Sequence, residues 1–199
     1  LPSTVTEGVM HADRLLTMRS RLSTAYKGLQ ALLLREGAID WRTGQNFDQA
    51  IFFDEAVDIH HIFPKAWCEL QNIPAKVYDS VVNKTPLSSR TNRIIGSAAP
   101  SSYLAKLTAG KQHQNGQLSE PPIDQTKLTM YLETHCIPTQ ALYTDQFDRF
   151  MRERQAKLLA LVMKATGHSD SYFPELSEEG EDVPEGVAHD SGLAAVGGE

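Results

Sequence analysis

Apolar residues recur along most of this chain at intervals of three and four, which is the spacing of one face of an α-helix. Between Ser23, a favourable N-cap, and Gly37, a favourable stop, this spacing predicts a helix. The longest such pattern is predicted to take Asp145 as its cap and to end at Gly167. Further helices are predicted over 12–19, 47–52, 66–70, 74–78, 100–107 and 126–134, and a surface loop over 108–122.

Two short apolar runs have the alternating pattern of strands instead. The first, at 57–62, carries two adjacent histidines near its end, and the second covers 80–85. A third segment, with Ser88 as N-cap and Gly96 just past its end, is predicted to be a helix. The local order is therefore strand, loop, strand, helix.

The predicted fold class is α+β, predominantly helical, with this small two-stranded unit packed among the helices. A two-stranded ribbon is not stable by itself, so we expect the helices over 23–35 and 145–166 to act as its scaffold. The polar side chains that the unit presents are His60, His61, Asn83 and Asn92.

In their order and context these four residues resemble the motif of the HNH nucleases, also called His-Me finger or ββα-metal nucleases. The resemblance implies that His60 is a metal ligand and that the adjacent His61 is the general base. It also implies that Asn83 orients the base and that Asn92, on the helix, is the second metal ligand. A ββα-metal nuclease unit is therefore expected.

The chain is similar above all to the C-terminal nuclease domain of GmrSD-type, modification-dependent restriction proteins. It has their Asp-Ile-His-His-Ile-Phe-Pro, Asn-x-x-x-Leu and Thr-Asn-Arg motifs, followed by Pro-Ser-x-Tyr-Leu at 100–104. The similarity extends over about 26–164. It implies a DNA substrate, a role in restriction of phage or foreign DNA, and an N-terminal nucleotide-hydrolysing sensor domain as a partner. Because the sequence starts at Leu1, we expect a fragment that lacks this domain.

The chemistry of phosphodiester hydrolysis explains why these residue types fit. A water molecule must lose a proton, and an imidazole with a pKa near neutrality can accept it. A single divalent cation must neutralise charge on the phosphate and the leaving oxygen, and the amide oxygen of Asn92 suits Mg²⁺ or Mn²⁺. Adjacent strand residues face opposite ways, so His60 and His61 are expected to divide the work. Asn83 could accept a hydrogen bond from His61 and fix its tautomer.

Several assignments stay open at the sequence level. Asp58 either orients a histidine or only caps a loop. Lys65 and Arg93 either contact the scissile phosphate or are ordinary solvated cations, with Arg93 favoured because of its bidentate geometry. Two other functions compete with a DNA endonuclease: a catalytically lapsed module that only binds DNA or a partner, and an RNase or toxin that uses the same metal and base.

The net charge of −6 is unevenly distributed. Nine of the 25 acidic residues lie in 170–199, a stretch without Lys or Arg, so the first 169 residues hold 19 basic and 16 acidic residues. That mildly basic body is compatible with DNA binding. The sequence divides accordingly into a linker with a short helix over 1–22, a nuclease domain over 23–167, and an acidic tail over 168–199 that is predicted to be disordered.

Some features that are missing from the sequence argue about the cellular compartment and about a structural zinc site. No run approaches 18 apolar residues and no signal peptide opens the chain, so a membrane partner is not expected. The two cysteines, Cys68 and Cys136, are far apart and do not have zinc-site spacing. Free thiols fit the reducing cytoplasm.

Overall fold

A computed structural model of the protein describes residues 10–47, 57–112, 118–167 and 171–172. Within these ranges the fold is α+β and mostly helical, as predicted, with three small two-stranded sheets. The strands are β1 (Met10–His11), β2 (Val57–His61), β3 (Lys84–Ser88), β4 (Lys111–Gln112), β5 (Leu118–Glu120) and β6 (Ser171–Tyr172). The helices are α1 (Asp13–Thr17), α2 (Thr24–Arg35), α3 (Lys65–Leu70), α4 (Ala75–Tyr78), α5 (Ser89–Ile95), α6 (Pro100–Ala109), α7 (Gln125–Glu133), α8 (Thr139–Tyr143) and α9 (Phe147–Thr166).

Strands β2 and β3 form an antiparallel ribbon, with Val57 opposite Ser88 and His61 opposite Lys84. Helix α5 follows β3 without a loop, because Ser88 both ends the strand and caps the helix by accepting the N–H of Thr91 at 3.2 Å. Gly96, with φ of 56°, ends the helix. Strand, strand and helix therefore follow in the predicted order.

The second strand begins later than its hydrophobic pattern predicted. Residues 80–83 were expected in the strand, but Val81–Asn83 form a 3₁₀ turn and the strand starts at Lys84. Val81 and Val82 are fully buried in this turn, which contacts α1 and α9. Their apolar character thus reflects packing between helices and not the alternation of a strand.

The predicted scaffold helices are confirmed in outline. Ser23 caps α2 by accepting the N–H of Tyr26, and Gly167, in the left-handed conformation, ends α9. Asp145 does not cap α9 as expected. Its carboxylate accepts the N–H and hydroxyl of Ser101 at 2.8 and 2.6 Å and so ties the start of α6 to the start of α9.

Three predictions concern segments at the edge of the described residues. The predicted helix over 47–52 lies outside them, apart from Phe47. The predicted loop over 108–122 contains the antiparallel pair β4–β5, which is too short to leave a detectable alternation. The acidic tail, which was predicted to be disordered, also lies outside the described residues, apart from β6. Strand β6 pairs parallel to β1. In the described part of the chain, no helix is long and apolar enough to cross a membrane.

The core lies between α9, α2 and α6, against the inner face of the ribbon. The ring centroid of Phe63, just after β2, lies 4.9 Å from that of Phe150 and 5.2 Å from that of Phe147, and both of these residues are on α9. Arg154, on the same helix, is fully buried and donates to the main-chain carbonyls of Val82, Lys84 and His135. This guanidinium fastens the longest helix to the entrance of β3.

Candidate active site

The two adjacent histidines are the last residues of β2. His60 pairs with Thr85 and His61 with Lys84 across the ribbon. Because successive side chains of a strand point to opposite faces, the two imidazoles are directed apart. Asn92 lies on α5, a helix that contacts both strands of the ribbon. The fold thus places Asn92 on the element packed against the strand of the histidines.

Asn83 is fully buried in the turn that leads into β3. Its Oδ1 accepts the N–H of Phe63 at 2.9 Å, and its Nδ2 donates to the carbonyls of Phe63 at 3.0 Å and Tyr78 at 2.9 Å. Its own carbonyl accepts the N–H of Ile62 at 2.9 Å. The expected direct bond between Asn83 and the ring of His61 is not formed among the described residues. The amide is instead saturated by main-chain groups, and it holds the backbone that follows His61.

The side chain that forms a hydrogen bond with the ring of His61 is Asp79. His61 Nε2 lies 3.0 Å from Asp79 Oδ1, and Lys84 Nζ lies 2.6 Å from the same oxygen. An ionised carboxylate can only accept, so neutral His61 carries its proton on Nε2 and presents Nδ1 as a lone pair. The side chain of His61 is 23% exposed, which leaves this second nitrogen within reach of solvent.

The electrostatics of the trio favour a neutral imidazole beside a charged carboxylate. Burial, and after it the Lys84 ammonium, lowers the pKa of His61; the hydrogen bond and charge of Asp79 offset this only in part. Burial by itself would raise the pKa of Asp79, but the hydrogen bond and charge of Lys84 outweigh it and hold that pKa below its ordinary value. At neutral pH, His61 is therefore able to accept a proton.

Asp79 and Lys84 were not found from the sequence. Lys84 was within reach of sequence reasoning, because a lysine in an apolar run, two residues after Val82, needs a partner if it is buried. Asp79 had no such signal. Its contact with His61 depends on the 3₁₀ turn, which brings residues on both sides of it back to the end of β2.

His60 and Asn92 are the residues that could hold a divalent cation. His60 is half-buried and Asn92, on the helix, is likewise half-buried. Their donor atoms, an imidazole nitrogen and an amide oxygen, suit Mn²⁺ or Mg²⁺ but supply only two ligands. In the part of the chain that the structure describes, no three His, Cys, Asp or Glu side chains are grouped to bind a metal ion. The main chain of Asp58 pairs with Leu87, and the structure does not describe the side chain of Asp58.

The two candidate phosphate contacts are placed differently. Lys65, at the start of α3, is exposed and lies 3.7 Å from Glu69 one turn later, as a solvated helix pair does. Arg93 is exposed on α5, next to Asn92, and it lines a cavity on that helix. Of the two, only Arg93 is on an element of the ribbon–helix unit.

The orientation of α5 is fixed by a buried carboxylate that sequence analysis did not single out. Asp40 Oδ2 accepts the N–H of Ser88 at 3.1 Å, and both of its oxygens lie within 2.9 Å of the Thr91 hydroxyl. Burial opposes ionisation, but these hydrogen bonds outweigh it and keep the pKa of Asp40 below its ordinary value. Asp40 therefore anchors the first turn of the helix that carries Asn92.

Comparison with known proteins finds a distant archaeal relative. The chain is 33% identical, over 161 residues, to an uncharacterized protein of Methanocaldococcus jannaschii. The match covers 74% of this chain and 26% of the relative, so the chain spans about a quarter of that protein's length. No protein-family model and no solved structure matches the chain.

Proposed function

We propose that this protein is a metal-dependent DNA endonuclease of the HNH type, and that the β2–β3 ribbon with α5 is its ββα-metal unit. The observation that carries the proposal is the state of His61: a neutral, partly exposed imidazole whose Nε2 is held by Asp79. Its position at the end of the first strand of a strand–strand–helix unit is the position that the motif assigns to the general base.

In the proposed reaction His61 Nδ1 takes the proton of the attacking water. Asp79 keeps the ring in the Nε2–H tautomer and stabilises the imidazolium that forms, while Lys84 holds Asp79 in place. A positioned base of this kind accelerates hydrolysis by roughly 10² to 10⁴. Asn83 acts indirectly, because its hydrogen bonds fix the backbone at Ile62 and Phe63, directly after His61.

The metal site is proposed to use His60 and Asn92. When bound, a divalent cation neutralises charge on the phosphate and on the leaving 3′-oxygen. With two protein ligands, binding is expected to be weak and to be completed by substrate phosphate and water. Activity should therefore require added Mg²⁺ or Mn²⁺.

The biological setting follows from the resemblance to restriction nucleases. We propose that the substrate is phage or otherwise foreign DNA in the cytoplasm. We also propose that a nucleotide-hydrolysing sensor domain, attached N-terminally in the full-length protein, selects the target. The short span of the archaeal relative that this chain covers is compatible with such a larger protein.

The direct test is to incubate supercoiled plasmid DNA and structured RNA side by side with the protein and Mg²⁺ or Mn²⁺, with and without excess chelator. The proposal predicts nicked or linear plasmid that disappears with chelator. Cleavage of RNA alone would assign an RNase, and binding without cleavage of either would assign a lapsed module. Undiminished cleavage in chelator would exclude the metal mechanism.

A further inference from the structure

The position of α5 depends on contacts outside the helix, because a helix of seven residues is not stable by itself. Its first turn is held by Asp40, a carboxylate that is 3% exposed and lies 51 residues from Thr91 in the chain. Asp40 Oδ2 accepts the N–H of the cap residue, Ser88, at 3.1 Å. The hydroxyl of Thr91 lies 2.9 Å from Oδ1 and 2.8 Å from Oδ2. Since Thr91 directly precedes Asn92, the carboxylate holds the part of the helix that carries a proposed metal ligand.

Asp40 is itself fixed by the loop to which it belongs. Its Oδ1 accepts the main-chain N–H groups of Arg42 and Thr43 at 3.0 and 3.1 Å, so the loop closes around the carboxylate. The preceding residue, Ile39, is tied to the interior, since its carbonyl accepts the Nε2–H of the buried His135 at 2.7 Å. The carboxylate is therefore held by the core on one side and bonds to α5 on the other.

The proposed metal site depends on how α5 is placed. Its two ligands come from different elements, His60 from β2 and Asn92 from α5, so the packing of the helix against the ribbon determines whether both can reach one ion. A functional site of this kind needs its groups held to within roughly 0.5 Å. Groups that orient metal ligands typically change metal affinity about 10- to 100-fold when they are removed.

We propose that Asp40 is a positioning residue that sets the metal affinity of the site, by holding Asn92 where it can share an ion with His60. The inference rests on the proposed function, since it takes these two residues to be the metal ligands. Asp40 acts on the site through the first turn of α5, by way of Ser88 and Thr91. It therefore controls how much metal ion the site needs, and not how fast the loaded site reacts.

Two variants break the link between Asp40 and α5 at its two ends. In Asp40→Asn the amide oxygen can keep the Oδ1 bonds within the loop, while its NH₂ group is brought against the N–H of Ser88, so that bond is lost. Thr91→Val removes the hydroxyl at the other end of the link and leaves the charge unchanged. The control is Asp124→Asn, which removes an equal charge from the carboxylate that caps α7.

Binding of Mn²⁺ is measured without DNA, by the electron paramagnetic resonance signal of the free ion, so the result does not depend on cleavage. The proposal predicts that Asp40→Asn and Thr91→Val each raise the dissociation constant for Mn²⁺ about tenfold or more, while Asp124→Asn matches wild type. Plasmid nicking by the two test variants should need correspondingly more Mn²⁺ for half of its maximum rate. The rate at saturating Mn²⁺ should stay near that of wild type.

The other outcomes separate this inference from the proposed function. Mn²⁺ binding by wild type that neither test variant weakens would overturn the role of Asp40 and leave the metal site intact. Weakening by Asp40→Asn alone would assign the effect to the lost negative charge, and equal weakening by Asp124→Asn would assign it to general charge; either result contradicts a positioning role. Absence of Mn²⁺ binding by wild type would overturn the proposed metal site itself, and this inference with it.

Discussion

In the part of the chain that the structure describes, His61 and His135 both have lowered pKa values, and their surroundings differ in whether a ring nitrogen is left available. His135 is fully buried; its Nδ1 lies 2.6 Å from the hydroxyl of Thr85, and its Nε2 lies 2.7 Å from the carbonyl of Ile39. Both ring nitrogens are thus engaged, and burial is the main cause that lowers the pKa of His135 to about 4. His61 uses one nitrogen on Asp79 and keeps the other near solvent.

A lowered histidine pKa therefore indicates a possible catalytic base only where one ring nitrogen stays available to accept a proton. The interior region around His135 is closed further by Arg154, which donates twice to the carbonyl of His135. The region around His61 has a carboxylate and a lysine that set the tautomer and charge of the imidazole. The first region stabilises the fold, and the second is proposed to perform the chemistry.

The largest effect is expected from breaking the interior region with Arg154→Met. Three buried carbonyl groups would lose their donor, so the free energy of unfolding should fall by about 3 kcal/mol or more. Burial lowers the pKa of Arg154 to about 10, so the charge is present at neutral pH in the wild type. Urea unfolding at pH 7 measures the loss.

The matched control for Arg154 is Arg149→Met on the same helix. Arg149 is exposed and pairs with Glu153 at 2.6 Å, so its loss should cost at most about 1 kcal/mol. Similar losses in the two variants would show that the buried hydrogen bonds of Arg154 contribute nothing particular.

The second prediction concerns the pH dependence of stability that comes from His135. Its folded pKa of about 4 lies below the ordinary value of 6.5, so the unfolded chain binds the proton first as pH falls. The contribution is fully present above pH 6.5 and is lost as the pH falls towards 4. The loss amounts to about 3 kcal/mol. An NMR titration of the imidazole should show a midpoint near pH 4, and a midpoint near 6.5 would contradict the burial argument.

The smallest effect is expected from Asp79→Asn, which tests the role of the carboxylate beside His61. Loss of the carboxylate removes the groups that raise the pKa of His61, so the acid limb of the pH–rate profile should move to lower pH. Cleavage at neutral pH should fall by roughly 10- to 100-fold, as is usual when an orienting partner is removed. Asp148→Asn, at an exposed position of α9, is the control. A lower rate with an unmoved pH profile would reduce Asp79 to a structural role.

The helical part of the fold could be predicted from the sequence because its signals are local. Ser23, Ser88 and Gly167 act as the caps that their positions suggested. Arg154 could have been found in the same way, since it lies four residues from both Phe150 and Leu158 on the buried face of α9. Its polar character hid it among the apolar positions.

The candidate site was only partly accessible to such reasoning. The motif gave His60, His61, Asn83 and Asn92, but not their contacts. The 3₁₀ turn decides whether Asn83 bonds to the ring of His61 or to the backbone that follows it. Because this turn contains two valines, its sequence pattern predicted a strand instead. Tertiary packing overrode the local pattern there.

The central claim is that His61 is the general base of a metal-dependent nuclease, and one paired measurement tests it most directly. Nicking of supercoiled plasmid in Mn²⁺ is compared between His61→Ala and His11→Ala, a control at an exposed histidine of β1, with calorimetric Mn²⁺ titration of each. The account predicts that His61→Ala loses at least about 10²-fold in rate and keeps its Mn²⁺ affinity, while His11→Ala matches wild type. The claim is contradicted if His61→Ala nicks as fast as the control. It is contradicted as well if His61→Ala loses the metal while His60→Ala retains it, since the two roles would then be reversed.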